Sequence, residues 1–166
     1  LVSKTYGDAL FEIAQETGRM DDFYEEALGV RTVLEENTQI SKLMNHPKIV
    51  KEEKIKIIEN IFKGRVSEEM TGLMRMIVDK GHFMEFDSVL DYFINEVKES
   101  KHIGTAYVTT AMELTDKQKA DIVAKLIETT SYVEFEMHYE VDAAIIGGMV
   151  IRIGDRVVDS SVKNKL

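Results

Sequence analysis

Residues that could perform acid–base chemistry or hold a metal are few and scattered. The four histidines, His46, His82, His102 and His138, include no pair at metal-ligand spacing, and the chain has no His-Glu-x-x-His motif. Glu136 and His138 alternate along one segment and would share a strand face. That alternation is typical of the solvated face of a half-buried strand, which is the interpretation adopted here. The histidines therefore predict no metal site.

Two other patterns could suggest catalysis. Gly147-Gly148 resembles part of a phosphate-binding loop, but neither G-x-G-x-x-G nor G-x-x-x-x-G-K-[ST] is present. A glycine pair that enters a strand also lets the backbone bend or approach a neighbour, and we favour that reason for it. The acidic pairs Glu35-Glu36 and Glu52-Glu53 are typical of solvated helix surfaces. With no cysteine in the chain, the sequence predicts no catalytic residue, no cofactor and no metal.

The first hundred residues have the hydrophobic period of helices. In the second segment the apolar residues recur at alternating gaps of three and four, which is one helical stripe. Ser67 is expected to cap the fifth helix. The predicted helices span approximately residues 4–16, 21–37, 39–44, a segment between Pro47 and Gly64, 68–80 and 83–100.

The period changes from 3.6 to 2 near residue 101. Alternation from Ala106 to Met112 predicts a half-buried strand, and Thr115 is expected to cap a helix that ends near residue 130. Residues 133–141 alternate most clearly, with an apolar side and a side of Glu and His. Two short strands flank Gly154-Asp155, a pair typical of a type II′ hairpin. The prediction is an all-α six-helix bundle (1–101) followed by a small α+β domain (102–166).

The charge distribution excludes several partners. The net charge is −9, with 14 basic and 20 acidic residues up to position 101, and 7 and 10 after it. Neither half has the basic patch that attracts nucleic acid or anionic lipid, so both are excluded as partners. No apolar run approaches the length of a membrane span, and no signal peptide opens the chain.

Helices 1 and 5 carry more apolar surface than a bundle core requires. On a helical wheel the apolar residues of each cover an arc of roughly 200°, whereas one buried face needs about 100°. The surplus indicates either a groove for an amphipathic partner helix or a central position in the bundle. The pattern alone leaves both open. The arcs consist of Tyr6, Gly7, Ala9, Leu10, Phe11, Ile13 and Ala14 on helix 1, and Met70, Leu73, Met74, Met76, Ile77 and Val78 on helix 5.

Four segments resemble one known family in matching order. Residues 147–162 (GGMVIRIGDRVVDSSV) closely resemble the C-terminal signature of the ATP synthase delta subunit family, whose mitochondrial counterpart is the oligomycin-sensitivity-conferring protein. Residues 6–14 resemble its first helix, and residues 45–47 and 80–83 its loop motifs. The family continues past residue 166 into a longer final helix, so we expect that helix to be truncated here. The signature residues are Gly147, Gly148, Arg152, Gly154, Asp155 and Asp159.

This resemblance implies a mechanical role without nucleotide binding or a proton path. The N-terminal domain would bind the amphipathic N-terminal helix of an alpha subunit in a groove between helices 1 and 5. The C-terminal domain would bind the b subunit of the peripheral stalk, although no groove in the α+β half stands out from the sequence. The complex would place the chain at the cytoplasmic face of a bacterial membrane, without direct membrane insertion. The residues expected around the alpha helix are Tyr6, Ala9, Leu10, Ile13, Leu73, Met76 and Ile77.

Two other classes of protein compete with this one. A small enzyme or ligand-binding protein would use the α+β half, but that half lacks a convergent set of nucleophile, base and anion-binding loop. A free-standing helical adaptor would use the apolar arcs without any synthase. Binding to a synthase head that lacks this subunit separates the three.

Overall fold

The computed structural model describes residues 1–145 and 147–159. The chain divides into two units, one spanning Leu1–Val97 and the other starting at Lys98. The first is helical and the second combines a helix with a sheet, as the sequence predicts. The helices are α1 (Val2–Thr17), α2 (Met20–Glu36), α3 (Thr38–Met44), α4 (Lys51–Phe62), α5 (Glu68–Asp79), α6 (Phe86–Ser100) and α7 (Asp116–Thr129), and Phe83–Glu85 form a 3-10 turn before α6.

The helical unit is held together by the apolar stripes of its helices. On α2 the stripe Phe23, Ala27, Val30 and Leu34 is buried, as its three-and-four spacing predicts. Burial of each large apolar side chain stabilises the fold by roughly 1.5–3 kcal/mol. The largest fully buried side chains of this unit are Phe23, Phe86, Phe93, Leu10, Ile58, Met70, Met74, Ile77, Leu90 and Ile94.

Local signals in the sequence fix several helix ends. The Ser67 hydroxyl accepts a hydrogen bond from the backbone N–H of Met70 at 3.1 Å, which caps α5 as predicted. Thr115 and Gln118 form a reciprocal capping box at the start of α7. The sixth helix was predicted to include Phe83, whereas α6 begins at Phe86 and Phe83 belongs to the 3-10 turn.

The second unit contains four strands in the order β2-β1-β3-β4. Central β1 (Ile103–Thr110) pairs in parallel with β2 (Glu134–Val141), and α7 lies between them in sequence. On its other side β1 pairs antiparallel with β3 (Met149–Ile153), which forms a hairpin with β4 (Arg156–Asp159). Gly154 has φ 59°, the positive value that the first turn position of a type II′ hairpin requires.

The predicted strand patterns need two corrections. Ala106, Val108 and Thr110 are buried on one face of β1, but the strand ends at Thr110 and Met112 lies beyond it, 78% exposed. Residues 133–141 do not present one buried face: Phe135 and Met137 are half-buried, and the apolar residues flanking this pair, Val133, Tyr139 and Val141, are exposed. The reason is that β2 lies at the edge of the sheet, where fewer side chains cover it.

Candidate partner-binding site

The inner faces of α1 and α5 belong to the core of the helical unit. The two helices pack against each other. Leu10 and Ala14 on α1, and Leu73 and Ile77 on α5, are buried, each pair four residues apart. Leu10, Leu73 and Ile77 were expected around a partner helix, and the structure places them where they hold the two helices in the unit.

The outer parts of the same apolar arcs are open to solvent. Ala9 is exposed, Ile13 is 37% exposed and Met76 is 51% exposed, while Tyr6 is half-buried. A central position in the bundle would bury all of these side chains. The surplus apolar surface of α1 is therefore open to solvent. On α5 only Met76, at the edge of the arc, is exposed, and the rest of that arc is buried in the core, as a central position predicts. We call Tyr6, Ala9, Ile13 and Met76 the α1–α5 face.

An ion pair links the end of α1 to the start of α5. The Arg19 guanidinium, between α1 and α2, lies 3.1 Å from a carboxylate oxygen of Glu69 in the first turn of α5. The pKa of Glu69 is lowered, first because its own backbone N–H donates to the carboxylate and then because Arg19 does so. Both side chains are more than one third exposed, so the pair adds little stability. It helps to fix the end of α1 beside the start of α5.

A second polar cluster joins α1 to α6. Lys4 Nζ lies 2.9 Å from the Asp8 carboxylate and donates to the Tyr92 hydroxyl at 3.4 Å. The hydrogen bond from Lys4 lowers the pKa of Asp8. Partial burial, with Asp8 as the next cause, raises the pKa of Glu96. Two carboxylates thus face each other beside one lysine, and the cluster holds α1 on α6.

The C-terminal signature forms the β3–β4 hairpin. The Arg152 guanidinium lies 4.3 Å from the centre of the Tyr107 ring and donates to the carbonyl of Gly154 at 3.4 Å. Gly147 has φ 65° and precedes β3 with Gly148, Asp155 completes the turn, and the backbone of Asp159 pairs in β4. The structure thus gives each of these signature residues a structural role in or beside the hairpin. Ser160, Ser161 and Val162, which end the segment 147–162, lie outside the described residues, and so does the final helix that we expect to be truncated.

The sheet face that carries Arg152 also carries a stacked row that the sequence analysis missed. The Tyr107 and His138 rings stack with centroids 4.7 Å apart, because Tyr107 pairs with His138 on one side and with Arg152 on the other. His138 Nε2 lies 3.7 Å from Glu136, which also bonds to Lys98. The row could not be found from the sequence, because it depends on the register of β1 with β2 and β3.

The described residues give no support for metal or phosphate chemistry. Among them, no three His, Asp or Glu side chains are grouped so that they could hold a metal ion. Gly147 and Gly148 lead into a strand rather than a helix, so they do not offer a phosphate the N-terminal amides of a helix. In the same part of the chain, no helix combines the length and apolar character needed to cross a membrane.

The α+β unit contains a groove that the sequence did not reveal. It has a volume of about 520 Å³ and lies between α7 and the β3–β4 hairpin. Ile122 and Leu126 line one side, and Met149, Ile151 and Ile153 line the other. Asp121, Lys125 and Arg156 add charges to its lining. Sequence alone does not reveal this groove, because it arises from the way α7 covers the sheet.

The described surfaces point to one class of protein. They offer apolar faces on helices and between a helix and a sheet, without a cluster of reactive side chains among the described residues. Such features are typical of a module that binds other proteins.

Comparison with known proteins identifies the family. Residues 2–166 match the family model described as ATP synthase delta (OSCP) subunit. The ATP synthase subunit delta of Lachnoclostridium phytofermentans is 55% identical over 166 residues, which are 100% of this chain and 91% of that protein. The subunit delta of Desulforamulus reducens is 33% identical over 99% of this chain and 91% of its own length. The chain belongs to the ATP synthase delta (OSCP) subunit family.

A solved structure shares the fold. A chain in the cryo-EM structure of the Toxoplasma gondii mitochondrial ATP synthase hexamer is 14% identical, with a TM-score of 0.79 over 99% of this chain and 93% of that chain. Together with the family membership, this makes the chain a non-catalytic subunit of F-type ATP synthase that is associated with the peripheral stalk. Its association with a membrane is peripheral and arises through the complex.

Proposed function

We propose that the helical unit attaches this subunit to the synthase head. It would do so by binding the amphipathic N-terminal helix of an alpha subunit on the α1–α5 face. The observation that carries this proposal is the exposure of Ile13 and Met76 on two helices that pack against each other. Ala9 leaves room beside them for a close approach. Leu73 would contribute its accessible edge, while Leu10 and Ile77 would support the face from below.

The α+β unit would bind the b subunit of the peripheral stalk. The groove between α7 and β3 supports this assignment, because its apolar lining suits an amphipathic helix and its charged groups can orient one. With one unit on the head and the other on the stalk, the subunit would resist the torque of the rotor. Proton-driven rotation would then be coupled to ATP synthesis in the head.

The same proposal implies a position and a domain organisation. The chain would lie at the cytoplasmic face of a bacterial membrane, held there by the rest of the synthase. The helical part would be a six-helix bundle that folds by itself. The break between the units at Val97 and Lys98 supports this organisation.

Binding to a synthase head that lacks this subunit tests the proposed attachment. The chain should co-elute with such a head on size-exclusion chromatography, and a synthetic alpha N-terminal peptide in excess should weaken that association. Failure of the chain to bind the head would overturn the proposal. Binding that the peptide leaves unchanged would show that the alpha helix is not the attachment point.

A further inference from the structure

Strand β2 leaves one of its backbone edges open over its whole length. It stands at the end of the strand order β2-β1-β3-β4, and among the described residues it pairs with β1 alone. That pairing runs without interruption from Glu134 to Val141, eight residues that extend over roughly 26 Å. The N–H and C=O groups that point away from β1 are therefore positioned to bond to a further strand.

β2 lacks most of the features by which proteins usually protect such an edge. Edge strands are commonly very short, bulged, or interrupted by proline or lysine. The sequence of β2, EFEMHYEV, contains neither residue, and its register with β1 has no bulge. The edge strand at the other side of the sheet, β4, is half as long, with four residues. The backbone of β2 therefore suits strand addition, in which an extended segment of a partner joins a sheet.

One side of this strand offers apolar contacts to an added strand. It is the side on which α7 lies, since Lys119 of α7 is 4.7 Å from the centre of the Tyr139 ring. The apolar row along it remains open towards the edge, because Val133 is 65% exposed and Val141 is 54% exposed. Apolar side chains of a neighbouring strand would cover this row, as cross-strand pairs do. The row consists of Val133, Phe135, Met137, Tyr139 and Val141.

The other side of β2 selects the charge of the partner. Glu134, Glu136 and Glu140 lie along it, together with His138. Glu136 bonds to Lys98, whereas Glu134 and Glu140 are exposed and the described residues offer their carboxylates no hydrogen-bond or ion-pair partner. Opposite charges that face each other across two strands stabilise the pair, and like charges destabilise it. An added strand would therefore carry lysine or arginine on this side.

The same glutamates disfavour a second copy of this chain as the partner. Parallel pairing of two β2 strands in register would place each glutamate opposite its own copy. Antiparallel pairing of Glu134 with Glu140 would also bring like charges together on one side of the sheet. A shift by one residue would instead place glutamates beside the apolar row. The occupant that fits both sides of the edge is a basic segment of a different protein.

We propose that the open edge of β2 binds an extended segment of a partner protein in which lysine or arginine alternates with apolar residues. Backbone hydrogen bonds to β2 hold the segment, and the alternation of its side chains sets its specificity. The site is separate from the α7–β3 groove, because no residue that lines that groove belongs to β2. It is also independent of the proposed attachment to the synthase head.

Designed peptides test the pairing on the full chain. A fluorescent peptide as long as β2 that alternates lysine and valine should bind saturably, with one peptide per chain, as measured by anisotropy. A peptide of the same composition with its lysines in one block should bind at least about tenfold more weakly, and so should a peptide that alternates glutamate and valine. Equal binding of the two lysine peptides would overturn the inference, because general charge attraction would then explain it.

Charge reversal on β2 tests the position of the site. A variant that combines Glu134→Lys and Glu140→Lys should bind the lysine–valine peptide at least about tenfold more weakly and the glutamate–valine peptide more tightly than wild type does. The matched control combines Glu113→Lys and Glu128→Lys, at two exposed glutamates of the same unit outside β2, and has the same net charge. The control should keep the wild-type preference. A control that reverses its preference as fully as the β2 variant would overturn the assignment to this edge.

N-methylation of the peptide tests whether backbone groups form the contact. In an extended peptide the N–H groups of the lysines point to one edge and those of the valines to the other. Methylation of one set should abolish binding, and methylation of the other set should leave it. Binding that survives both changes would show that side chains alone hold the peptide and would overturn strand addition. Wild type should be monomeric on size-exclusion chromatography, and a dimer that the lysine–valine peptide dissociates would show that a second copy occupies the edge instead.

Discussion

A Cβ atom placed on Gly7 would lie 2.4 Å from Cδ1 of Tyr92, so α1 and α6 approach each other at a position that admits no side chain. Atoms at that distance overlap, and either the ring or the helix would have to move. Cγ and Cβ of Tyr92 would lie 3.1 and 3.3 Å from the added atom, so the near end of the side chain is crowded as well and a turn of the ring alone does not relieve the overlap. The close contact sets where α1 lies in the helical unit, and with it the position of the α1–α5 face.

Gly7→Ala should therefore destabilise the protein although alanine is the better helix former. Overpacking costs about 1–3 kcal/mol and the helix gains about 1 kcal/mol, so we expect a net loss of up to about 2 kcal/mol. Differential scanning calorimetry should show a fall in Tm of up to about 6 °C. Gly29→Ala, in open space, should raise Tm instead. A Gly7→Ala variant as stable as Gly29→Ala would show that the contact with Tyr92 is loose.

Glu96→Gln should stabilise the protein at neutral pH and not in acid. The folded-state pKa of Glu96 is raised by partial burial and by Asp8, so its ionisation opposes folding. That cost is present above the folded pKa and disappears as the pH falls below the unfolded value. The difference in Tm between the variant and wild type should therefore be largest near pH 7 and should disappear near pH 4. Glu25→Gln is the control, because Glu25 is exposed and the described residues offer its carboxylate no hydrogen-bond or ion-pair partner. A gap that is constant with pH would contradict the role of Glu96.

A fragment of residues 1–101 should fold alone. The break between units falls at Val97, α6 ends at Ser100, and the core cluster that includes Leu10, Phe23 and Phe93 lies within the first unit. Circular dichroism should show an almost purely helical protein with one cooperative thermal transition. A fragment that melts without cooperativity would mean that the two units share a core.

Much of this fold was accessible from the sequence because its signals are local. The caps at Ser67 and Thr115 and the turn at Gly154 depend on a few neighbouring residues, and each lies where its pattern predicted. The stripe on α2 is equally local. Such features depend on residue spacing and backbone conformation, not on the arrangement of distant elements.

The remaining features required tertiary information. The sequence could not say which parts of the α1 and α5 arcs are buried, because Leu10 and Ile13 look alike on a helical wheel. The partial exposure of β2 follows from its place at the sheet edge. The α7–β3 groove combines elements that are separated in sequence. In each case the deciding fact was which neighbour covers a surface.

Ala9→Asp tests whether the α1–α5 face binds the alpha-subunit helix. Ala9 is exposed in the helical unit, so water can solvate the new carboxylate in the free protein. Aspartate is a poorer helix former than alanine by about 0.7 kcal/mol, and Tm should fall by about 2–3 °C. A docked helix would instead bury a charge without a partner, which costs several kcal/mol, and each 1.4 kcal/mol is tenfold in affinity. We therefore expect an alpha N-terminal peptide to bind at least about a hundredfold more weakly, as measured by calorimetric titration.

The Gln15→Asp variant is the control, because Gln15 is exposed outside the apolar arc of α1, and it should bind the peptide as wild type does. Unchanged peptide affinity in Ala9→Asp would place the partner on another face of the bundle.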